Sequence, residues 1–314
     1  MRDVAGKVAF VTGGNSGIGL GITRAFLDAG MNVAITYRTR ANLDAAMETL
    51  GQFGDRVHAI GVDVTDREAM ERAAAETVET FGKVHVVVNN AGVAVVGGLS
   101  AATYDDWDWA MSVNCDGVFN GIRAFLPHIQ AHGEGGHIIA TSSLAGLLGH
   151  GPAGVYTATK FAVVGMMEAL RFELAGGNIG VSVFCPGLVN TNIGTSARNR
   201  PTEFGDASAP GFKPDPALLA RMQEAMKNNT GPVGMDPLEA GQRVLQGMRD
   251  NDLYILTTPE FEPEFRARGE AIVASVPTDV IAPPAREPTG RMILGRANYA
   301  DERDRRLCER ARRG

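Results

Sequence analysis

The sequence alternates short runs of valine and isoleucine with longer amphipathic segments, and this alternation constrains the fold more than any other feature. Strands are predicted at Val8–Val11, 33–36, 57–62, 84–89, 137–142, 181–184 and 253–257. Helices are predicted between them, at 18–29, 43–53, 66–81, 105–132 and 154–175. Strands that are apolar on both sides are buried on both faces, as in a parallel sheet covered by helices. Repeated strand–helix–strand units therefore predict an α/β chain with a doubly wound parallel sheet.

Two regions break this rhythm, and we expect one domain over residues 1–257 followed by a C-terminal extension over 258–314. Residues 191–236 contain five prolines and a predicted helical piece near 216–227. A long irregular segment of this kind is typical of a substrate lid. The alternative is a surface loop that has no role in substrate binding. The extension ends in six arginines and four acidic residues over 301–314, which indicates a solvated helix or a disordered end.

The composition excludes several classes of protein. With 44% hydrophobic residues and a net charge of −6 over 314 residues, the chain lacks both the composition of a disordered protein and the basic surface that binds nucleic acid. No run approaches the roughly 18 apolar residues of a membrane-spanning helix, and the N-terminus lacks the apolar core of a signal peptide, so we expect a cytoplasmic protein. Cys115, Cys185 and Cys308 lie far apart, which predicts neither a disulfide framework nor a metal site.

A glycine-rich turn lies between the first predicted strand and the first predicted helix. Residues 11–19 read VTGGNSGIG. Glycines at these spacings allow a tight turn and let the backbone approach a diphosphate group closely. The free N–H groups and the positive end of the following helix then face that anion. The turn therefore predicts a dinucleotide site.

Further motifs follow in order along the chain. Asp63-Val64 follows the third predicted strand, and Asn89-Asn90-Ala91-Gly92 closes the fourth. Ser143 follows the fifth strand, and Tyr156 and Lys160 stand four residues apart in the next helix. With the TGxxxGxG pattern of residues 12–19, these motifs resemble the short-chain dehydrogenase/reductase family over about residues 4–257. The resemblance implies a Rossmann fold and an NAD(P)-dependent oxidoreductase.

The resemblance also indicates which residues form the site. It implies a catalytic tetrad of Asn114, Ser143, Tyr156 and Lys160, in which Asn114 shapes a proton-relay water chain and Lys160 also holds the ribose hydroxyls. Pro186-Gly187 ends the sixth strand, and Thr191 matches a threonine on the nicotinamide side. The expected cofactor-binding residues are Gly13, Asn15, Ser16, Gly17, Ile18, Gly19, Tyr37, Arg38, Asp63, Val64, Asn90, Ala91, Gly92, Tyr156, Lys160, Pro186, Gly187, Val189 and Thr191.

The residue types of the tetrad fit acid–base chemistry. Tyr156 and Lys160 are i and i+4 on a helix, so both side chains lie on one face. A free tyrosine has a pKa near 10, and a fixed cation beside it is expected to lower that pKa toward neutrality. Tyr156 then exchanges a proton with a substrate oxygen, to which the hydroxyl of Ser143 also donates. Ser142 is the local competitor for the role of Ser143.

The end of the second strand predicts which cofactor is used. NAD-dependent Rossmann proteins place an acidic residue there to accept from the ribose 2′-hydroxyl. Here that position is Tyr37, Arg38 and Arg40 follow it, and the first carboxylate is Asp44. Because a guanidinium can hold a 2′-phosphate by paired hydrogen bonds, NADP(H) is predicted, with Arg38 as the main contact and NAD(H) as the alternative. Many NADP-dependent relatives also carry a basic residue inside the glycine turn, where this chain has Ser16.

The predicted substrate is a neutral, bulky ketone or secondary alcohol. The loops after the fourth, fifth and sixth strands would line its pocket with apolar residues, and no arginine or lysine is expected there to bind a carboxylate. Those apolar residues are Val93, Val95, Val96, Leu144, Leu147, Leu148 and Leu188.

A narrower resemblance indicates that the substrate is aromatic. Residues 103–109, residues 251–256 and the extension resemble bacterial Cα-dehydrogenases that oxidise benzylic alcohols of lignin-derived aryl ethers. Because those enzymes favour NAD, an NAD-dependent benzylic alcohol dehydrogenase is one alternative to an NADPH-dependent ketone reductase. Others are an enzyme of the same fold acting on a 3-oxoacyl thioester, steroid or imine, and a non-enzymatic NADP-binding regulator. The family also implies a homodimer or homotetramer paired through the helices at 105–132 and 154–175.

Overall fold

A parallel sheet forms the centre of the computed structural model, which describes residues 1–205, 234–281, 283–294 and 299–313. Within these ranges seven strands are arranged in the order β3-β2-β1-β4-β5-β6-β7, and every neighbouring pair is parallel. The strands are β1 Val8–Val11, β2 Asn32–Tyr37, β3 Val57–Gly61, β4 Val86–Asn89, β5 Gly136–Thr141, β6 Ile179–Cys185 and β7 Tyr254–Leu256. Val11 of β1 pairs with Ile35 of β2 and Val88 of β4, so the carboxyl ends of the central strands lie side by side.

Helices cover both faces of the sheet, as the apolar strands predict. Their bounds are α1 Gly17–Asp28, α2 Arg40–Leu50, α3 Arg67–Phe81, α4 Tyr104–Met111, α5 Gly117–Ala131, α6 Gly154–Glu173, α7 Pro237–Asp250, α8 Glu262–Ala274, α9 Arg286–Leu294 and α10 Tyr299–Arg313. On one face Phe26 of α1 and Val244 of α7 are buried in a common core with α2. On the other face Met70 of α3, Phe125 of α5 and Met167 of α6 are buried. The prediction of a doubly wound α/β fold is confirmed.

The long helix predicted at 105–132 is wrong in one respect, because a π-helical turn divides it. The turn spans Ser112–Asp116 and separates α4 from α5. Asn114 lies inside this turn, where its buried side chain bonds to the backbone of Val93. Single π turns within α-helices often mark functional sites, since the extra residue re-aims one side chain. Hydrophobic periodicity alone does not report such an insertion.

Helix α7 is not among the predicted helices, although it packs closely on α1. Asp236 caps its first turn and Pro237 stands at its first position. A Cβ atom added at Gly21 of α1 would overlap the carbonyl oxygen of Pro237, and one added at Gly241 would overlap that of Gly21. These two glycines therefore allow the helix backbones to touch. The helical piece predicted near 216–227 falls outside the described residues.

The mixed-charge tail forms helix α10, and that helix is docked on the body of the protein. Glu302 pairs with Arg171 of α6 at 2.6 Å, and Arg306 pairs at 2.6 Å with Asp252, which is buried beside β7. Tyr299 of α10 and Tyr254 of β7 both donate to the carboxylate of Glu168. Of the two predictions for the tail, a solvated helix or a disordered end, the helix is the one that the structure shows. Several of its charged side chains, however, form ion pairs with the rest of the protein. Among the described helices, none is both long and apolar enough to cross a membrane.

Candidate active site

A cleft of about 1400 Å³ opens at the carboxyl ends of the central strands. All the predicted site residues line it except Gly19 and Asn114, which lie immediately behind its wall. The residues come from the carboxyl ends of β1 to β6 and from the starts of α1 and α6. The sheet therefore brings the separately predicted motifs into one site.

The glycine turn forms the floor of the cleft in front of α1. Gly13 and Gly17 have φ angles of +62° and +49°, which favour glycine. Gly19 packs so closely on the carbonyl of Gly13 that a side chain there would overlap it. The N-cap residue Ser16 makes no side-chain hydrogen bond to the first turn of α1. The first N–H groups of this helix are consequently available to an anion in the cleft.

Thr12 joins this turn to the strand beside it, a role that the sequence analysis does not assign. Its hydroxyl oxygen accepts the backbone N–H groups of Asn90 and Ala91 at 2.8 and 2.9 Å. Its carbonyl accepts the side-chain amide of Asn90 at 3.0 Å, and Thr141 donates to the other end of that amide at 3.2 Å. Thr12 immediately precedes Gly13, and its place directly before the glycine turn is the sequence signal from which this role could be predicted.

Tyr156 and Lys160 reach the cleft from the first turns of α6. Lys160 is buried, and its Nζ donates to the carbonyl of Thr141 at 2.9 Å and lies 5.5 Å from the Tyr156 ring centroid. Burial lowers the pKa of Lys160 to about 8. Burial also raises the pKa of Tyr156, against a smaller lowering by its hydrogen bond with Ser143. The predicted lowering of the tyrosine pKa is thus wrong in direction for this structure, because desolvation by burial is the largest effect on Tyr156.

The two adjacent serines have different environments. Ser143 lines the cleft, hydrogen-bonds with Tyr156 and accepts the N–H of Ala145 at 3.1 Å. Ser142 is buried, and its hydroxyl donates to the backbone carbonyl of Lys160 at 2.9 Å. The geometry therefore favours Ser143 as the group that meets a substrate oxygen, and Ser142 as a support for α6.

Asn114 is a supporting residue behind the cleft. Its side chain is fully buried, accepts the N–H of Val93 at 2.8 Å, and donates to the Val93 carbonyl at 2.9 Å and the Thr159 hydroxyl at 3.0 Å. A Cβ atom added at Gly92 would lie 3.2 Å from its oxygen and 3.5 Å from the Lys160 ammonium. Asn114 thus holds the backbone that follows β4 in a position next to the Lys160 ammonium.

Arg38 lines the far end of the cleft, where β2 ends. Its guanidinium lies 3.5 Å from a carboxylate oxygen of Asp63 and donates to the carbonyl of Asn199 at 3.3 Å. The side chain remains 43% exposed. Arg40 points elsewhere, since it is absent from the cleft lining and pairs with Asp44 at 3.1 Å. Of the two arginines considered from the sequence, only Arg38 is placed to meet a ligand.

Apolar and charged residues both contribute to the remaining lining of the cleft. All the predicted apolar residues line it except Leu147, which packs against the core instead. Arg198 and Arg268 also line the cleft, which as a whole therefore contains arginines besides Arg38. Arg268 belongs to the extension, which adds Glu260, Phe261 and Glu264 to the wall, and its guanidinium lies 5.3 Å from the Phe161 ring centroid. A sequence pattern does not show that a distant helix returns to the cleft.

Comparison with known proteins agrees with the geometry of the cleft. The model of the short chain dehydrogenase family matches residues 7–202. The chain belongs to the short chain dehydrogenase family. It is 35% identical over 306 residues to the C alpha-dehydrogenase of Sphingobium sp. strain SYK-6, a match that covers 97% of this chain and 96% of that protein. It is 39% identical over 208 residues to 3beta-hydroxysteroid dehydrogenase 2 of Eggerthella lenta, covering 66% and 79% of the two chains.

Solved structures of family members share the fold. A short chain dehydrogenase/reductase from Burkholderia phymatum in complex with NAD superposes with a TM-score of 0.78, at 32% identity over 90% of this chain and all of that one. The apo form of LigO from Sphingobium gives a TM-score of 0.70 at 32% identity, covering all of this chain and 98% of that one. The protein is therefore an oxidoreductase of a family that binds NAD(P). Its likeness to Cα-dehydrogenases extends over nearly the whole chain, and the alternative of a non-enzymatic regulator is not supported.

Proposed function

We propose that this enzyme interconverts a ketone and a secondary alcohol with NADP(H), using Tyr156 as the proton donor and acceptor. The observation that carries the proposal is that Tyr156, Ser143 and Lys160 line the same cleft as the glycine turn. One cleft thus holds both a dinucleotide-binding turn and a proton-transfer group. This combination fits hydride transfer coupled to proton transfer.

The chain's own residues fit a dinucleotide. The uncapped N-terminus of α1 and the left-handed backbone at Gly13 and Gly17 form a site for a diphosphate group. Lys160 lines the cleft beside Tyr156, Thr191 lies against Gly17 of the glycine turn, and Asp63 lines the cleft beside Arg38. When bound, the nicotinamide would accept or supply the hydride.

The proton chemistry is argued from the burial and contacts of these residues. Because burial raises its pKa, Tyr156 is protonated at neutral pH and can donate to a carbonyl oxygen during reduction. Ser143 orients the same oxygen by a second hydrogen bond. A protonated Lys160 stabilises negative charge that develops on the tyrosine as its proton leaves. In the direction of alcohol oxidation Tyr156 must first lose its proton, and its phenolate then accepts the proton of the alcohol.

The preference for NADP(H) rests on Arg38. No carboxylate ends β2, and the guanidinium lines the cleft beside the carboxylate of Asp63. We expect Arg38→Met to weaken NADP⁺ binding about tenfold or more, the effect of losing charge-assisted hydrogen bonds, while NAD⁺ affinity changes less than threefold. Fluorescence titration measures both constants, and Arg40→Met, which alters an arginine outside the cleft, is the matched control. Equal losses for the two cofactors would contradict the assignment.

The substrate is proposed to be bulky and aromatic, with its neutral part near Tyr156. The apolar lining of the inner cleft supports this. The names of two relatives agree, since one is a C alpha-dehydrogenase and the other acts on a hydroxysteroid, which is a bulky secondary alcohol. A cytoplasmic location and a homodimer or homotetramer are also proposed, and light scattering on the purified protein would measure the oligomeric state.

The direct test is turnover of a panel of aryl ketones with NADPH or NADH, followed by nicotinamide absorbance. The proposal expects consumption of NADPH at a higher kcat/KM than of NADH. Turnover with NADH alone would instead favour an NAD-dependent benzylic alcohol dehydrogenase. Turnover restricted to thioesters, steroids or imines would retain the fold and cofactor but replace the substrate class.

The pH dependence follows from Lys160. With a pKa of about 8, its ammonium is charged below that pH and neutral above it. We expect kcat/KM for ketone reduction to be level between about pH 6 and 7 and to fall as the pH rises through 8, because the charge that supports Tyr156 is lost. The pH profile of Lys160→Met should lack this fall. A wild-type profile that stays level up to pH 9.5 would contradict the role of the lysine.

A further inference from the structure

A short segment crosses the mouth of the cleft after Thr191. This crossing segment, the 3₁₀-helical stretch Ile193–Asn199, is tied down at several points. The hydroxyl of Ser196 accepts the N–H of Ala94 after β4 at 3.1 Å, and the carbonyl of Asn199 accepts from Arg38 after β2 at 3.3 Å. Since the chain enters the segment from the end of β6, it passes over the carboxyl ends of the strands between β6 and β2.

Arg198 is the cation of the crossing segment. One of its terminal nitrogens donates to the carbonyls of Asn192 and Thr195, each at 2.8 Å, and to the Thr195 hydroxyl at 2.5 Å. In the part of the chain that the structure describes, no carboxylate pairs with Arg198, and its other N–H groups have no partner. The side chain nevertheless lines the cleft. It is thus held at one end and keeps donors for a ligand.

The charges of this corner of the cleft favour an anionic ligand. The bonds to Asn192 and Thr195 hold the Arg198 guanidinium at the start of the crossing segment. Thr191, just before that segment, would lie 3.0 Å from a Cβ atom added at Gly17, so the segment begins against the glycine turn. Among the acids that line the cleft, Asp63 already pairs with Arg38, and Glu260 and Glu264 come from the extension. Arg198 has no carboxylate partner among the described residues, and a phosphate complements its free donors.

We propose that Arg198 is a cofactor-binding residue that holds a phosphate group of the dinucleotide. The inference rests on the proposed dinucleotide site and adds a contact from the crossing segment, which begins against the glycine turn. Both the 2′-phosphate and the diphosphate supply the required chemistry. The competing explanation is that the Arg198 guanidinium only stabilises its own 3₁₀-helical turn and does not contact a ligand.

Binding of cofactor fragments tests this without any turnover. Affinities of the wild type, Arg198→Met and Arg38→Met are measured by calorimetry for 2′,5′-ADP and ADP, and by competition for adenosine. We expect Arg198→Met to weaken one phosphate-bearing fragment about tenfold or more and to reduce the salt dependence of its binding, with adenosine unchanged. A loss for 2′,5′-ADP alone assigns the 2′-phosphate, and a loss for ADP assigns the diphosphate.

Arg40→Met is the matched control, because it removes an arginine that lies outside the cleft lining. It should bind all three ligands within threefold of the wild type. Wild-type affinities in Arg198→Met, equal losses for adenosine and the nucleotides, or the same losses in Arg40→Met would overturn the proposal. If the wild type itself binds neither nucleotide, the proposed cofactor site is wrong. If the wild type binds them and Arg198→Met binds them equally well, only the inference about Arg198 is wrong.

Discussion

Replacing Tyr156 by phenylalanine is expected to lower kcat for ketone reduction by about 10²–10⁴-fold, the usual contribution of a positioned acid or base. The change removes one oxygen atom from a side chain that lines the cleft and hydrogen-bonds with Ser143. Because the ring is retained, the affinity for NADP⁺ and the melting temperature should change little. Steady-state kinetics, fluorescence titration and thermal melting measure the three quantities.

Tyr254→Phe provides the matched control for Tyr156→Phe. The Tyr254 hydroxyl donates to Glu168 at 2.6 Å and lies outside the cleft lining. Its removal should cost about 1 kcal/mol of stability, the net value of a hydrogen bond, and leave kcat within about twofold. Comparable kcat in Tyr156→Phe and the wild type would show that the proton comes from another group.

The second large effect is expected from Gly19→Ala. The added methyl group would overlap the carbonyl oxygen of Gly13 and the side-chain amide of Asn90, both of which belong to the cofactor end of the cleft. The carbonyl is backbone, so the turn must move to relieve the overlap. Overpacking of this kind costs about 1–3 kcal/mol. We expect the dissociation constants of NADP⁺ and NAD⁺ both to rise about tenfold or more, because the shared diphosphate site is displaced.

Gly51→Ala separates this effect from the general cost of replacing a glycine. Gly51 has φ −58°, and a Cβ atom added there would have no neighbour within 4 Å. That variant should bind both cofactors as the wild type does and melt at a similar temperature. If Gly19→Ala also binds both cofactors normally, the glycine turn does not form the diphosphate site.

Sequence patterns predict the framework of this protein well, because each pattern reports a local physical requirement. The buried strands are continuous apolar runs. In the glycine turn, Gly13 and Gly17 have positive φ angles, and a side chain at Gly19 would overlap backbone. Tyr156 and Lys160 share a helix face for reasons of helical geometry alone. Parallel strand order then brings the motifs to one edge of the sheet, which accounts for nearly the whole predicted lining.

The misses arise where contacts between distant segments decide the structure. Asn114 lies in a π turn, and its side chain bonds to the backbone of Val93. The sequence around Asn114 does not predict that contact, and the sequence around Val93 does not predict the π turn. Helix α10 is held by residues more than 50 positions away, such as Asp252. The same is true of Arg198 and Arg268, which reach the cleft only through the fold. The direction of the Tyr156 pKa was missed because burial, which is a tertiary property, outweighs the nearby lysine.

Transfer of deuterium tests the central claim most directly. NADPH carrying deuterium at C4 of the nicotinamide, prepared as each of the two epimers, is incubated with an aryl ketone that the enzyme reduces. The product alcohol is then examined by mass spectrometry and NMR. The account predicts one deuterium on the carbinol carbon from one epimer and none from the other, in a reaction that Tyr156→Phe slows by about 10²–10⁴-fold. An alcohol without deuterium from either epimer would contradict direct hydride transfer in this cleft.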